Sequence, residues 1–147
     1  MDASEAIHHE MTIEADPASV FAFFTDPQRL VRWMGASANL DAQPGGLMLV
    51  EVHDGFVARG KFIEVVPVTH LAYTWGWEGN RENVPPGSSL IEIDLAPNNG
   101  GTLLRFKHSG LPAEAVPGHR DGWNHYLARL ALAASGHDPG PDPRRKR

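Results

Sequence analysis

The sequence predicts a single α+β domain: a curved antiparallel sheet of six to seven strands closed by one long C-terminal helix, with two short helices after the first strand. Three observations predict it. Between residues 47 and 109, short apolar stretches of strand length alternate with turns rich in Gly and Asn, the pattern of an antiparallel meander rather than of strand-helix-strand units. Two Asp-Pro pairs, Asp16-Pro17 and Asp26-Pro27, each open a short helical pattern. The stretch GHRDGWNHYLARLALAASG, residues 118 to 136, carries Leu and Ala at helical spacing.

Each element has its own reason. EAIHHEMTIE, residues 5 to 14, reads as a strand that stops at Asp16-Pro17, where the Asp carboxylate is expected to accept amide hydrogens and the Pro ring presets φ. Val20 and Phe24 then fall on one face, and Asp26-Pro27 repeats the signal ahead of Leu30, Trp33 and Met34. Pro44-Gly45-Gly46 is a turn, LMLVEVH a strand, Asp54-Gly55 a hairpin signal and FVARGKFIEVV a longer strand ended by Pro67. HLAYTWGW follows, then the polar loop EGNRENVPPG, then SSLIEIDLA and TLLRFKHS around an Asn-Asn-Gly-Gly tip.

Alternation places Leu71, Tyr73, Trp75 and Trp77 on one face of their strand, Ile91, Ile93 and Leu95 on another, and Leu104, Phe106 and His108 on the last. The helix presents Trp123, Leu127, Leu130 and Ala134 as one stripe and leaves Arg120, Asn124 and Arg129 to water. Gly122, inside that helix, costs roughly 1 kcal/mol relative to Ala. Its expected gain is closeness, because without a Cβ the helix can approach its neighbours and let Trp123 form a wall. Rigid rings lining a curved sheet fill space poorly, which leaves room for a cleft. From the pattern alone a solid core stands ahead of a cleft, and spacing does not measure a cavity.

Composition bounds the rest. At 147 residues, 41% apolar and 21% charged, the chain needs no covalent staple. It has no cysteine, which removes disulfides, thiolate metal sites and thiol nucleophiles. A formal charge of -5 argues against nucleic acid as a partner. The start lacks the signature of a signal peptide, and no apolar run approaches the roughly 18 residues of a membrane span, so a soluble, cytoplasmic protein without a membrane partner is expected. Residues 137 to 147, ending in the basic Arg144, Arg145, Lys146 and Arg147, read as a flexible tail.

Eight histidines do not make a metal site: His8 and His9 point to opposite faces of a strand, and His119 and His125 lack the i, i+4 spacing of paired ligands. Ser109-Gly110 and Ser135-Gly136 lack the frame of an exposed nucleophile, and the glycine pairs lack the helix and lysine of a phosphate cradle, so no cofactor is expected. His108 and His119 are the residues that could act as acid or base near one end of a cleft.

Together, IEADPASVFAFFTDPQRLVRWMG, PGG, GKFIEVVP, HLAYTW, GTLLRFKHSG and HRDGW, in this order from about residue 6 to 136, resemble the family named for the activator of the heat-shock protein 90 ATPase, in its C-terminal-type domain. That family is a branch of the START-like, SRPBCC superfamily (Bet v 1-like). The resemblance implies a helix-grip fold with a cavity between sheet and helix, over residues 1 to 136. The chain shows no counterpart of the separate N-terminal domain of the eukaryotic co-chaperone, so stimulation of a chaperone ATPase in that manner is not expected.

The functional expectation is a non-catalytic binder of a small hydrophobic or aromatic molecule, its pocket formed by Trp33, Tyr73, Trp75, Trp77, Phe106, His108, His119, Trp123 and Tyr126. The alternatives are a cyclase or hydratase using the same cavity, and a protein-interaction module of co-chaperone type. A homodimer through the two apolar faces of GKFIEVV is a further expectation.

Overall fold

Ile7 and Ile13, buried at the two ends of the first strand, frame a stretch whose interior is partly exposed, as suits an edge strand. The computed structural model describes residues 6 to 53 and 55 to 143. Glu5, Asp54 of the hairpin signal and the basic cluster 144 to 147 therefore lie outside the described residues. The order is β1 (Ile7–Ile13), α1 (Pro17–Thr25), α2 (Pro27–Leu30), β2 (Ser37–Leu40), β3 (Leu47–His53), β4 (Phe56–Val66), β5 (His70–Trp75), β6 (Ser89–Asn98), β7 (Gly101–Ser109) and α3 (Val116–Ala134). All seven strands form one curved antiparallel sheet in the order β1-β7-β6-β5-β4-β3-β2.

The two Asp-Pro starts differ in detail. Asp26 accepts a hydrogen bond from the Gln28 amide at 3.0 Å, whereas the Asp16 side chain makes no capping bond, so its helix start rests on Pro17 and on backbone geometry. The short strand β2 had no sequence signal, because SANL offers no alternation of large apolar residues. It pairs with β3 in a regular register, Ser37 opposite Glu51 and Leu40 opposite Met48.

The concave face is built from alternate residues, as expected. Leu71, Tyr73, Trp75, Ile91, Ile93, Leu95, Leu104, Phe106 and His108 are all buried. Two register shifts, between Glu51 and His53 and between Phe62 and Glu64, interrupt the ladders where irregular pairing promotes bending. Helix α3 lies across the hollow and buries Trp123, Tyr126, Leu127, Leu130 and Ala133. Its seam thus runs through Ala133 rather than Ala134.

Arg129 departs from the expectation of a solvated side chain. Its guanidinium donates to the carbonyls of Trp33, Pro139 and Gly140 at 3.2, 3.3 and 2.9 Å. His125 Nε2 lies 2.8 Å from the Asp142 carboxylate, which is buried. The segment 137 to 143 thereby bonds to α3 through His125 and Arg129.

Candidate functional site

One strand and its continuation carry three aromatic rings on the inner face, of which Trp75 and Trp77 reach the open end of the fold. Tyr73 and Trp75 close β5, and Trp77 follows through an isolated bridge to Ala58. Gly76 between the tryptophans is required by a close approach, since a Cβ there would sit 1.9 Å from the Pro85 carbonyl oxygen. The polar loop folds back at that point, Trp77 donating its amide to the Val84 carbonyl at 2.7 Å. The turn between them, Glu78–Asn83, brings Glu82 over the edge of the hollow.

Trp75 stands at the centre of a ring cluster. It meets Trp77 at 5.3 Å, Trp123 at 5.2 Å and His108 at 6.0 Å between centroids. Edge and tilted contacts of this kind add about 0.5 to 1.5 kcal/mol each beyond burial. His108 and His119 do come together, 5.6 Å apart with their rings nearly perpendicular.

Hydrogen bonding fixes the protonation of both histidines. His119 Nδ1 lies 2.8 Å from the Ala115 carbonyl, which only accepts, so Nδ1 carries the proton; Nε2 accepts from the Trp77 indole at 3.0 Å. His108 has the opposite tautomer. Its Nδ1 accepts from the Trp123 indole at 3.0 Å, which leaves Nε2–H to donate to Ser89 Oγ at 2.9 Å, and Ser89 donates onward to the Trp75 carbonyl at 2.7 Å.

All four ring nitrogens are engaged with neutral partners, and both rings are kept neutral. Burial, aided by the charge that His119 would carry, pushes His108 down to about 3. Burial also lowers His119, against the opposing effects of the Ala115 carbonyl and the Glu82 charge. An imidazole with both nitrogens occupied and its charged form suppressed is a poor general acid or base near neutral pH.

A cleft of about 260 Å³ opens beside this cluster. Helix α3 lines it with Gly118, His119, Gly122, Trp123 and Tyr126, which occupy one face at helical spacing. Gly118 and Gly122, four residues apart, leave room where side chains would stand. Trp75 and Trp77 form the sheet wall, and Met34, Val52, His53, Phe56 and Glu82 complete the rim. Three of the four tryptophan indoles donate a hydrogen bond: Trp33 to the Phe23 carbonyl at 3.0 Å, Trp77 to His119 and Trp123 to His108. The fourth, Trp75 Nε1, is buried and makes none with the described residues.

Of the residues expected at the pocket, Trp75, Trp77, His119, Trp123 and Tyr126 line this cleft, while Trp33, Tyr73, Phe106 and His108 sit in packed interior. Trp33 packs on Phe24 at 5.3 Å, Tyr73 on Phe62 at 5.6 Å and Phe106 on Trp123 at 4.6 Å. Burial also raises the Tyr73 phenol above its ordinary value. The sequence reading missed Met34, Val52, His53, Phe56, Glu82 and Gly118. Consecutive Val52 and His53 both reach the cleft because the register shift there breaks the two-residue period.

Among the described residues no cluster of His, Cys, Asp or Glu has the arrangement of a metal site, and no helix is long and apolar enough to cross a membrane. Comparison with known proteins gives a consistent family. Residues 14 to 134 match the family model described as Activator of Hsp90 ATPase homolog 1-like protein. The chain is 30% identical over 115 residues to Activator of 90 kDa heat shock protein ATPase homolog 1 of Mus musculus, a match spanning 78% of this chain and 32% of that protein. The chain therefore corresponds to about a third of its curated relative.

Among solved structures, an AHSA1-like protein of Rhizobium etli shares 53% identity at a TM-score of 0.75, over 97% of this chain and 89% of the other. The Aha1 dimer of Colwellia psychrerythraea, at 20% identity and a TM-score of 0.76 over 89% of this chain and 96% of the other, shares the fold. The seven-stranded curved sheet, the long closing helix and the match over most of the chain place this protein in the family of Activator of Hsp90 ATPase homolog 1-like proteins.

Proposed function

We propose that the protein binds a small hydrophobic or aromatic molecule in the cleft between β5 and α3, without catalysing its conversion. The observation that carries this reading is the aromatic cleft itself, walled by Trp75, Trp77, Trp123 and Tyr126. The Trp75 indole N–H is buried without a protein partner, at a cost of about 1 to 3 kcal/mol that a ligand carbonyl or ether oxygen would recover on displacing the side chains that cover it. The cleft lies slightly below the range of about 300 to 1,000 Å³ common for ligand pockets, so one ring or a fused pair suits it.

The cyclase or hydratase alternative would use His108 or His119 as acid or base, and both are held neutral with both ring nitrogens engaged. Titration of tryptophan fluorescence with indole, naphthol and acetophenone tests binding. Saturable one-to-one binding that weakens for acetophenone in Trp75→Phe is expected. Absence of binding by any of the three, with the fold intact, would refute the reading.

The likeness to the heat-shock protein ATPase activator favours one second reading, a protein-interaction module. It requires that the purified chain change ATP hydrolysis by a 90 kDa heat-shock protein, and an unchanged rate would exclude it. Ile63 and Val66 of β4, each about half exposed at 48% and 49%, are the apolar residues that a contact between two copies would cover. A monomeric mass by light scattering would exclude that contact.

A further inference from the structure

Among the residues that line the cleft the charge is one-sided, although the Arg81 guanidinium stands at the rim, over the Phe56 ring. Five aromatic residues, Phe56, Trp75, Trp77, Trp123 and Tyr126, line it together with a single carboxylate, Glu82, and neither Lys nor Arg is among the lining residues. Aromatic faces are negative, so a cleft of this composition presents π faces and one anion to whatever enters. His119, the wall residue nearest in kind to a cation, is held neutral by its hydrogen bonds.

Glu82 is also held there against local preference. Its φ is 60°, in the left-handed region that ordinary L-residues disfavour. The neighbours that share this conformation, Gly79, Asn80 and Asn83, are the residue types that tolerate it, and Glu82 is not. Its carboxylate takes part in no hydrogen bond or ion pair among the described residues, although Glu78 in the same turn is bonded to Arg59 at 2.9 Å. The rim already displays the matching interaction, since the Arg81 guanidinium lies over the Phe56 ring at 4.6 Å.

We infer that the ligand class of this cleft is the organic cation: an ammonium group carried on a small ring, the ring against the tryptophans and the charge between the aromatic faces and Glu82. The inference rests on the ligand-binding reading above and narrows it. Three probes of one shape separate the two claims: phenethylammonium, 2-phenylethanol and phenylacetate, titrated calorimetrically into the wild type and into Glu82→Gln. Glu82 is exposed and Gln preserves its shape, so the variant is expected to fold, which its indole N–H resonances check.

The ammonium should bind about tenfold more tightly than the alcohol, phenylacetate more weakly than either, and Glu82→Gln should erase the advantage of the ammonium while leaving the alcohol unchanged. Equal binding of alcohol and ammonium, a preference for phenylacetate, or a cation preference that survives Glu82→Gln would overturn the assignment of a cation held by Glu82, and binding of the alcohol would still uphold the ligand-binding reading. Failure of all three probes to bind the folded wild type would overturn both claims together.

Discussion

Lowering the pH probes the buried histidine pair directly. His108 is neutral in the folded protein down to about 3, whereas in the unfolded chain it titrates near 6.5. Between those values the unfolded state binds a proton that the folded state refuses, so stability present above pH 6.5 is lost progressively as the pH falls toward 3. For this one group the loss between pH 7 and pH 5 is about 2 kcal/mol, against a total of about 5 to 15 kcal/mol for a domain. His119, also lowered, acts in the same direction.

Urea unfolding at pH 7, 6 and 5 measures the loss, and the His108 ring resonances of the folded protein, followed over the same range, assign it. The expected result, read in the His70→Gln background so that the opposing titration of His70 is absent, is a fall of about 2 kcal/mol with no titration of the His108 ring above pH 4. Stability that stays flat to within a few tenths of a kcal/mol, together with a His108 resonance titrating near 6.5, would refute the argument from burial and occupied nitrogens.

Two other perturbations follow from the same geometry. A Cβ on Gly118 would meet only Glu82 Oε1, at an ordinary 3.9 Å, so Gly118→Ala should fold with stability unchanged or raised by up to about 1 kcal/mol while ligand affinity falls, seen by thermal melting and fluorescence titration. His70 lies on the sheet between Glu64 at 2.8 Å and Asp94 at 2.7 Å, and is raised above its ordinary value: desolvation opposes its charge, but the hydrogen bonds and charges of Asp94 and Glu64 outweigh it. Its contribution is fully present below pH 6.5 and is lost as the pH rises through the folded value, so the stability gap between wild type and His70→Gln should be larger at pH 6 than at pH 8.

Periodicity carried much of the fold into the sequence. Alternation identified the inward residues of β5, β6 and β7, and helical spacing identified Trp123, Leu127 and Leu130, because burial on one face is what those periods record. The cleft was less legible. Aromatic type does not distinguish a ring that ends against another ring, as Tyr73 and Phe106 do, from one that borders a gap, as Trp77 does. Val52 and His53 were hidden by an irregular register, and Glu82 by a turn in which a non-glycine residue takes a positive φ. Arg129 is polar, so its role in binding three carbonyls of distant segments had no signal in the pattern. Gly118 and Gly122, four residues apart beside His119 and Trp123, do carry a signal, since together they remove two side chains from one face of the helix.

The most direct test of a ligand cleft walled by Trp75 is a two-dimensional amide spectrum of the indole region, recorded while a small aromatic ligand is added. Four indole resonances are expected, one for each tryptophan. The Trp75 resonance should move furthest as its N–H gains a partner, with Trp77 and Trp123 shifting less and Trp33, bonded in the packed interior, staying fixed. A Trp75 resonance that stays still while ligand saturates the protein would contradict the account.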